Sequence, residues 1–403
     1  MLLRVPYYYK EFKCIAGDCK DSCCVGWEID IDEDTFAYYR GLEGPFGDRL
    51  RASMARGEEN TFVLNQGRCP FLNQQNLCDI CLELGEEALC QVCTEYPRFV
   101  TEYGEVTEKS LALSCEVVGG LVFGRRDPIY CEEIFQQDCY GEEAEEEENL
   151  PFIPQIEQAR DLAIDLIQDR TRPIEARICR MLKFAQEFQE ALVTEKSEQM
   201  EKVLDQWKKG SCWEKDEEKT ECKSAEEEKK RAAEFAFQSF FQRIRFFKEM
   251  EVLDREWEEA RDQVESVVKE AGSEGYLALQ QEFMETLRRQ DREYEYEHLC
   301  VYFLFRYAIQ TVYDWNFWGH GAAAAACFLM IRDMDMARFV RQGGKYTLED
   351  RIDVVRIFSK EAEHSEENLE YLLEGAYYET FMKMDNLLRQ VAGKEDGWSG
   401  SIS

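Results

Sequence analysis

The order of apolar and polar positions changes character about a third of the way along the chain. Before residue 135 the runs are short. Gly26-Trp27-Glu28-Ile29-Asp30-Ile31-Asp32 alternates apolar with acidic residues, the period of two that predicts a short half-exposed strand. Asp34 to Tyr39 predicts a helix start with Phe36 and Tyr39 facing inward, broken by Gly41, Gly44, Pro45 and Gly47. Thr61 to Leu64 reads as a second strand. Glu83 to Cys93 reads as a short helix or turn that delivers Cys90 and Cys93 on one side.

From Pro151 onward the period is helical. Leu162, Ala163, Leu166 and Ile167 share a face, and Thr171 with Pro173 predicts the cap and first turn of a helix carrying Ile174, Ile178, Met181, Leu182, Ala185, Phe188 and Leu192 as a core stripe. Phe235 to Phe247 is dense enough in aromatics to anchor a long helix, and another is expected from Gly275 to Arg292. Glu293 to Tyr307 is the most apolar helix candidate. It carries His298 and Arg306, and Glu297 or Glu295 is the local partner expected for a buried arginine. Trp315 to Ile331 lacks charged residues but is shorter than the ~20 apolar residues a membrane span needs. Its block Ala322 to Ala326 suits a tightly packed helix, so no transmembrane segment is expected. Thr347-Leu348-Glu349-Asp350 resembles a capping box opening a helix to about Glu361. At the junction Glu363-His364-Ser365, Ser365 is the expected cap of a helix reaching Tyr378. The tail after Gly393 is expected to fray.

These elements predict a mostly α (α+β) protein. A small cysteine-rich metal-binding part (1–135) precedes an acidic linker (136–150, with Glu142, Glu143 and Glu145 to Glu148) and a helical domain (151–403). The 403 residues, 44% apolar and 33% charged, describe a folded chain. Its 83 acidic residues against 49 basic ones leave a formal charge of -34, which repels phosphate backbones and argues against a nucleic-acid partner. The N-terminus, too short in its apolar part for a secretory signal, points to a cytoplasmic protein.

Cysteine usage changes the picture most. There are 17 cysteines, too clustered for core residues and odd in number. In a reducing compartment such clustering points to metal or catalysis over disulfides. Cys14, Cys19, Cys23, Cys24, Cys69, Cys78, Cys81, Cys90, Cys93 and Cys115 fall within about a hundred residues that contain no histidine. A metal held there is held chiefly by sulfur, which favours iron–sulfur clusters or zinc. Cys78/Cys81 and Cys90/Cys93 have the C-x2-C spacing of one tetrahedral zinc site. Adjacent Cys23 and Cys24 do not easily share one metal: one binds and the other braces, or they serve different sites. Cys131 and Cys139 lie near the end of this part, and Cys212 with Cys222, ten residues apart in a charged stretch, read as free surface thiols. Gly119-Gly120 is not a G-x-G-x-x-G nucleotide loop.

The succession Val5-Pro6-Tyr7-Tyr8, Cys14, Cys19, Cys23-Cys24, Gly26-Trp27, Cys69-Pro70-Phe71-Leu72, Leu77-Cys78-Asp79-Ile80, Leu89-Cys90, Cys93, Tyr96-Pro97-Arg98 and Leu113-Ser114-Cys115 resembles the flagellin lysine-N-methylase family. Its cysteine-rich part is similar to a broader group, regarded as zinc- or iron-chelating, with a CxxCxxCC signature. Here the first two gaps are longer, and Cys81 stands where the pattern has an aromatic. Glu297-His298 and Glu363-His364-Ser365 resemble the family's helical half.

The resemblance implies a methyltransferase that moves a methyl group from S-adenosylmethionine to lysine side chains of flagellin. It also implies a four-iron four-sulfur cluster (4Fe-4S), carried over here onto Cys14, Cys19, Cys23, Cys24, Cys69, Cys78, Cys90, Cys93 and Cys115. Nine thiols exceed the four ligands of one cluster, so either two metals bind or several of the nine are supporting residues. A lysine must lose a proton before it is methylated. The acceptor is a carboxylate, a tyrosine such as Tyr96, a late histidine, or solvent. The reading from a different class is a non-catalytic metal-binding or electron-carrier protein with a helical partner-docking domain.

Overall fold

A computed structural model describes residues 2–57, 60–135, 150–210 and 225–393. The acidic stretch 136–149, Cys139, Cys212, Cys222 and the tail after Gly393 lie outside the described residues.

The strands are β1 (Leu2–Pro6), β2 (Met54–Arg56), β3 (Asn60–Phe62), β4 (Arg98–Tyr103), β5 (Val106–Leu111) and β6 (Cys131–Phe135). Five short helices lie among them: α1 (Glu33–Gly41), α2 (Gly44–Ala52), α3 (Asp79–Leu84), α4 (Gln91–Glu95) and α5 (Glu116–Phe123). The helical half runs α6 (Ile153–Gln168), α7 (Ile174–Leu192), α8 (Ser197–Lys208), α9 (Ala225–Glu249), α10 (Arg255–Arg289), α11 (Tyr294–Tyr307), α12 (Thr311–Asp314), α13 (Phe317–Arg341), α14 (Leu348–Glu363), α15 (Glu366–Tyr378) and α16 (Met384–Ala392). The fold is mostly α with a small sheet, as expected.

That sheet, ordered β4-β5-β1-β6, was not legible in the sequence. β1 runs parallel to β5 with Leu2 opposite Val106, and antiparallel to β6. The physical reason is Glu108. It is buried in the middle of β5, accepting from Arg160 Nη1 at 2.6 Å and Arg4 Nη1 at 2.8 Å, beside buried Thr107 and Ser110. A strand whose buried face includes a paired charge loses the apolar alternation by which strands are recognised.

Two hydrophobic clusters form. The larger joins the helices to the sheet, taking in Tyr8, Tyr103, Leu111, Leu113, Val122 and Phe123. Its centre is α13, buried over nearly its whole length. The alanine block permits close approach: a Cβ at Gly321 would stand 3.0 Å from the Ala185 Cβ on α7. Among the described residues no helix is long and apolar enough to cross a membrane. The smaller cluster gathers Ile29, Ile31, Phe36, Tyr39, Leu50, Phe62, Phe71 and Ile80 around Cys69 and Cys90.

Several expectations hold. The Thr347–Asp350 capping box is present, Ser365 caps α15 by accepting the Asn368 N–H, and Phe36 and Tyr39 face inward. Others are corrected. Gly26 to Asp32 has one isolated bridge, Asp30 with Thr61, and Val25 just before it bridges Arg68, because Gly26 at φ +96° turns the chain out of a continuous ladder. Gly44 and Pro45 open α2, where proline's fixed φ suits a first turn. Thr171 does not cap α7; its hydroxyl turns back to Asp169 and the helix starts after Pro173. The helix expected from Gly275 is the second half of α10, which begins at Arg255 and kinks at Gly272 (φ +66°). Arg306 pairs with Glu363 on α14, not with Glu297 or Glu295. At about 1.5 Å of rise per residue those two lie roughly 13 and 16 Å down the same helix, beyond an arginine's reach. Glu297 instead holds Arg170 and Arg177, and Glu295 holds Arg292 and Arg351.

Candidate functional site

The nine predicted thiols all lie in the cysteine-rich part, whose segments around Asp21, Trp27 and Ser114 meet the α14 helix and His364 at its end, and none of the described cysteines is in a disulfide. Local structure aims backbone N–H groups at several sulfurs. The Ala16 N–H meets Cys14 Sγ at 3.3 Å. Cys78, Cys90 and Cys115 stand at the N-cap positions of α3, α4 and α5, where unpaired N–H groups collect. Burial pushes the Cys115 thiol up, and the N–H groups of Val118 and Val117 act against it. Cys69, pushed up to about 12 by burial, has Phe71 and Leu72 in the same role. N–H donors favour sulfur carrying negative charge, free or metal-bound.

The sulfurs also oppose one another's ionisation. Cys23 is raised through its hydrogen bond with Cys24, by burial, and by Cys24, Cys14 and Cys115 as charged neighbours. Cys24, on the favoured side of that bond and helped by Ser22 and Arg68, is lowered to about 7. Burial, Glu116, Cys115 and Cys14 push Cys19 up to about 12. Gathered thiols that disfavour each other's charge, with backbone donors aimed at several of them, suit a bound cation, which deprotonates a coordinating thiol outright. The donor set therefore fits a thiolate-bound metal. Cys81, whose N–H faces the Cys78 sulfur, is a charged neighbour of Cys78 and has Glu86 and Glu87 as charged neighbours of its own. Cys131, Cys179, Cys300 and Cys327 are raised by burial and lie away from the thiol groups.

The thiol layer is fastened to α14 by charge. Asp21, two residues before Cys23, accepts from Arg356 Nη1 at 2.7 Å and Lys360 Nζ at 2.9 Å, and Lys360 also reaches Asp254 at 2.7 Å. Asp21, Asp254 and Glu256 are the only group of three or more metal-capable side chains among the described residues with ligand atoms within 4.8 Å of one another. Lys360 and Arg356 already neutralise them. Gly26 is required here: besides its positive φ, a Cβ would stand 3.0 Å from both Asp254 Oδ2 and Lys360 Cε.

At the end of α14 the His364 ring stacks on Trp27, centroids 4.2 Å apart, and its Nε2 lies 2.7 Å from Ser114 Oγ, which lies 3.2 Å from the Tyr96 hydroxyl. Burial, with Arg306 and Lys360 nearby, lowers His364 to about 3, so its ring is neutral at pH 7. Burial, with Cys115, Cys23 and Asp21 as charged neighbours, raises Tyr96 well above its ordinary value. The structure thus joins residues that the sequence offered separately, and adds Ser114 between them. The other histidines are structural: His298 Nδ1 lies 2.7 Å from the Val122 carbonyl, and His320 Nε2 2.8 Å from Asp314.

Behind His364, Glu363 accepts from Arg306 at 2.5 Å, Tyr302 at 2.7 Å and Tyr307 at 2.6 Å, and bonds Ser359 as well. The Tyr302 hydroxyl in turn accepts the Leu113 N–H at 3.3 Å, two residues before Cys115. Next to this seam, Glu361 is buried, accepts the N–H groups of Leu253 and Asp254, and is raised to about 7 by burial. A folded-state carboxyl pKa above the unfolded value makes the folded state the better proton binder. Glu361's contribution to stability is then full below about pH 4.5 and lost as pH rises through about 7. Glu361→Gln is expected to flatten that part of the stability–pH profile, measured by urea midpoints at pH 5 and pH 7. An unchanged profile counts against it.

Two surface hollows, one lined by Gln158, Glu198, Glu201 and Lys202 and the other by Gln242, Arg245, Phe246 and Glu249, include no residue of the thiol layer.

A sequence profile of the FliB lysine N-methylase C-terminal domain matches residues 160–390. Lysine-N-methylases of Salmonella typhimurium and Salmonella choleraesuis are each 26% identical over 197 residues, 45% of this chain and 47% of theirs. The match thus spans about half the length of these curated relatives. The flagellar biosynthetic protein FliU of Salmonella muenchen is 27% identical over 138 residues, 31% of this chain and 78% of its own. No solved structure matches. Because the domain profile covers more than half of the residues, the chain belongs to the FliB lysine N-methylase family.

Proposed function

We propose that the protein is a lysine N-methyltransferase that uses S-adenosylmethionine, acts on flagellin in the cytoplasm, and carries an iron–sulfur cluster on its N-terminal thiols. The single observation that carries this reading is the match of the FliB lysine N-methylase domain over residues 160–390. The names of the relatives, lysine-N-methylase and flagellar biosynthetic protein, support the substrate class. The chemistry of the donor set supports the cluster. Thiolate-rich donor sets without histidine suit iron–sulfur clusters.

Cys115, next in sequence to Ser114, and Cys23 are neighbours of Tyr96 in the Tyr96–Ser114–His364 chain and are the thiols from which a cluster would face the substrate. Bound there, an iron–sulfur cluster would supply a redox-active or Lewis-acidic surface for the methyl donor. The protein's own side chains orient one another. His364, stacked on Trp27 and neutral, fixes the Ser114 hydroxyl, and Ser114 holds the phenol of Tyr96. The acidic character of the chain attracts protonated lysine before it reaches the site.

The test is anaerobic purification with iron and sulfide analysis, then incubation with methyl-labelled S-adenosylmethionine and flagellin. Label on flagellin lysines is expected. Metal-loaded protein that leaves flagellin unlabelled under reducing conditions would overturn the enzyme reading in favour of a carrier.

A further inference from the structure

The four-stranded sheet ends on β4, whose outer edge pairs with no strand among the described residues. The register fixes which backbone groups face outward. On the β5 side, the Ala112 N–H donates to the Pro97 carbonyl at 2.8 Å. Pairing direction alternates along an antiparallel strand, so Phe99, Thr101 and Tyr103 also turn their backbone groups to β5, and Arg98, Val100 and Glu102 turn theirs away. The Glu102 carbonyl agrees with this alternation, since it accepts the Tyr313 hydroxyl from outside the sheet. The N–H groups of Arg98, Val100 and Glu102 and the carbonyls of Arg98 and Val100 have no backbone partner among the described residues. Such a row is a template for one more strand. At its middle stands Val100, an apolar side chain that is 49% exposed.

We propose that this edge is where an extended, lysine-bearing segment of the protein substrate docks, adding a strand beside β4 and bringing its lysine to the seam at His364. This rests on the reading of the protein as a lysine methyltransferase, and adds the surface and the backbone conformation by which it takes its substrate. Two observations select this occupant. The first is continuity with the site. Tyr96 stands two residues before Arg98, and the Phe99 ring lies 6.2 Å from the His364 ring. A docked strand places alternate side chains on the face that carries Phe99, and that face meets the seam. The second is charge. Exposed Glu95, Glu102 and Glu105 outnumber exposed Arg98 along the edge, and the Arg98 guanidinium already lies over the Phe12 ring. Such a surface favours a cationic segment, and the formal charge of -34 on each chain disfavours a second copy in its place. Backbone pairing supplies affinity without reading every side chain, so one edge accepts lysines in differing sequence contexts.

The experiment uses the anaerobically purified full chain with monomeric flagellin as the probe. Hydrogen–deuterium exchange over residues 97–103 is expected to slow when flagellin is added, because the outward amides of Arg98, Val100 and Glu102 gain partners. Val100→Pro removes one outward N–H and spares the β5 ladder. It should raise the KM for flagellin, or the Kd where no transfer occurs, by up to about tenfold while kcat is retained. If that variant does not fold, Glu102→Lys decides instead: its side chain is exposed, and a like charge at the edge should raise the same constant by up to about fivefold. Flagellin bound with exchange over 97–103 unchanged, or a folded variant with the parental constant, overturns the docking edge, and labelling of flagellin by the parent then keeps the methyltransferase reading. Protection of 97–103 in dimers formed without flagellin overturns it in favour of self-association. A parent that protects 97–103 on flagellin yet transfers no label keeps the edge and overturns the methyltransferase reading. A parent that neither binds nor labels flagellin overturns both.

Discussion

Glu363→Ala is expected to destabilise the protein by about 3–5 kcal/mol, read as a fall in the denaturant midpoint at unchanged slope. The size follows from what the substitution strands. Glu363 is buried and receives Arg306, Tyr302, Tyr307 and Ser359, and the Arg306 guanidinium lies over the Phe99 ring with no other carboxylate among the described residues ion-paired to it. Removing the carboxylate leaves a buried cation uncompensated, a far larger cost than the net value of the pair. Replacing both members, Arg306→Met with Glu363→Leu, is expected to recover most of the loss, because neither desolvated charge remains. A loss below about 1 kcal/mol for the single substitution would show that water reaches Arg306 and that the network is not closed. The effect should extend to the thiols, because Tyr302 also accepts the Leu113 N–H beside Ser114 and Cys115.

That network shows where sequence reasoning stops. Features whose partners lie within a few residues were legible: the Thr347–Asp350 box, the Ser365 cap and the stripe from Ile174 to Leu192 each follow from one helical turn repeated. The thiol set was legible as chemistry because cysteine is rare and clusters visibly. The pairs Arg306–Glu363, Ser114–His364 and Asp21–Lys360 join residues 57, 250 and 339 positions apart, and no spacing rule reaches across such distances. Gly26-Trp27 and Glu363-His364-Ser365 each stood out in the sequence. Only folding shows that Trp27 and His364 stack. The sheet escaped for the opposite reason: β5 is local and simple, but its buried Glu108 gives it the composition of a surface strand.

The rate of methyl transfer at subsaturating flagellin is expected to climb about tenfold per pH unit between pH 7 and pH 9, since each unit raises the neutral fraction of a lysine of pKa ~10.4 tenfold. The side chains at the seam explain why no lower-lying step should interrupt this rise. His364, lowered to about 3 by burial and by Arg306 and Lys360, is too weak a base to hold a proton taken from an ammonium group. Tyr96, raised well above its ordinary value by burial and the neighbouring thiols, stays a phenol throughout the range. Both therefore act by orientation, and the lysine proton leaves to water or to a carboxylate already ionised at pH 7. His364→Asn should lower the rate while leaving the slope unchanged, because the group that titrates belongs to the substrate. A plateau beginning near pH 7, abolished in His364→Asn, would mean that the histidine is itself the proton acceptor and that the seam opens to solvent when flagellin binds.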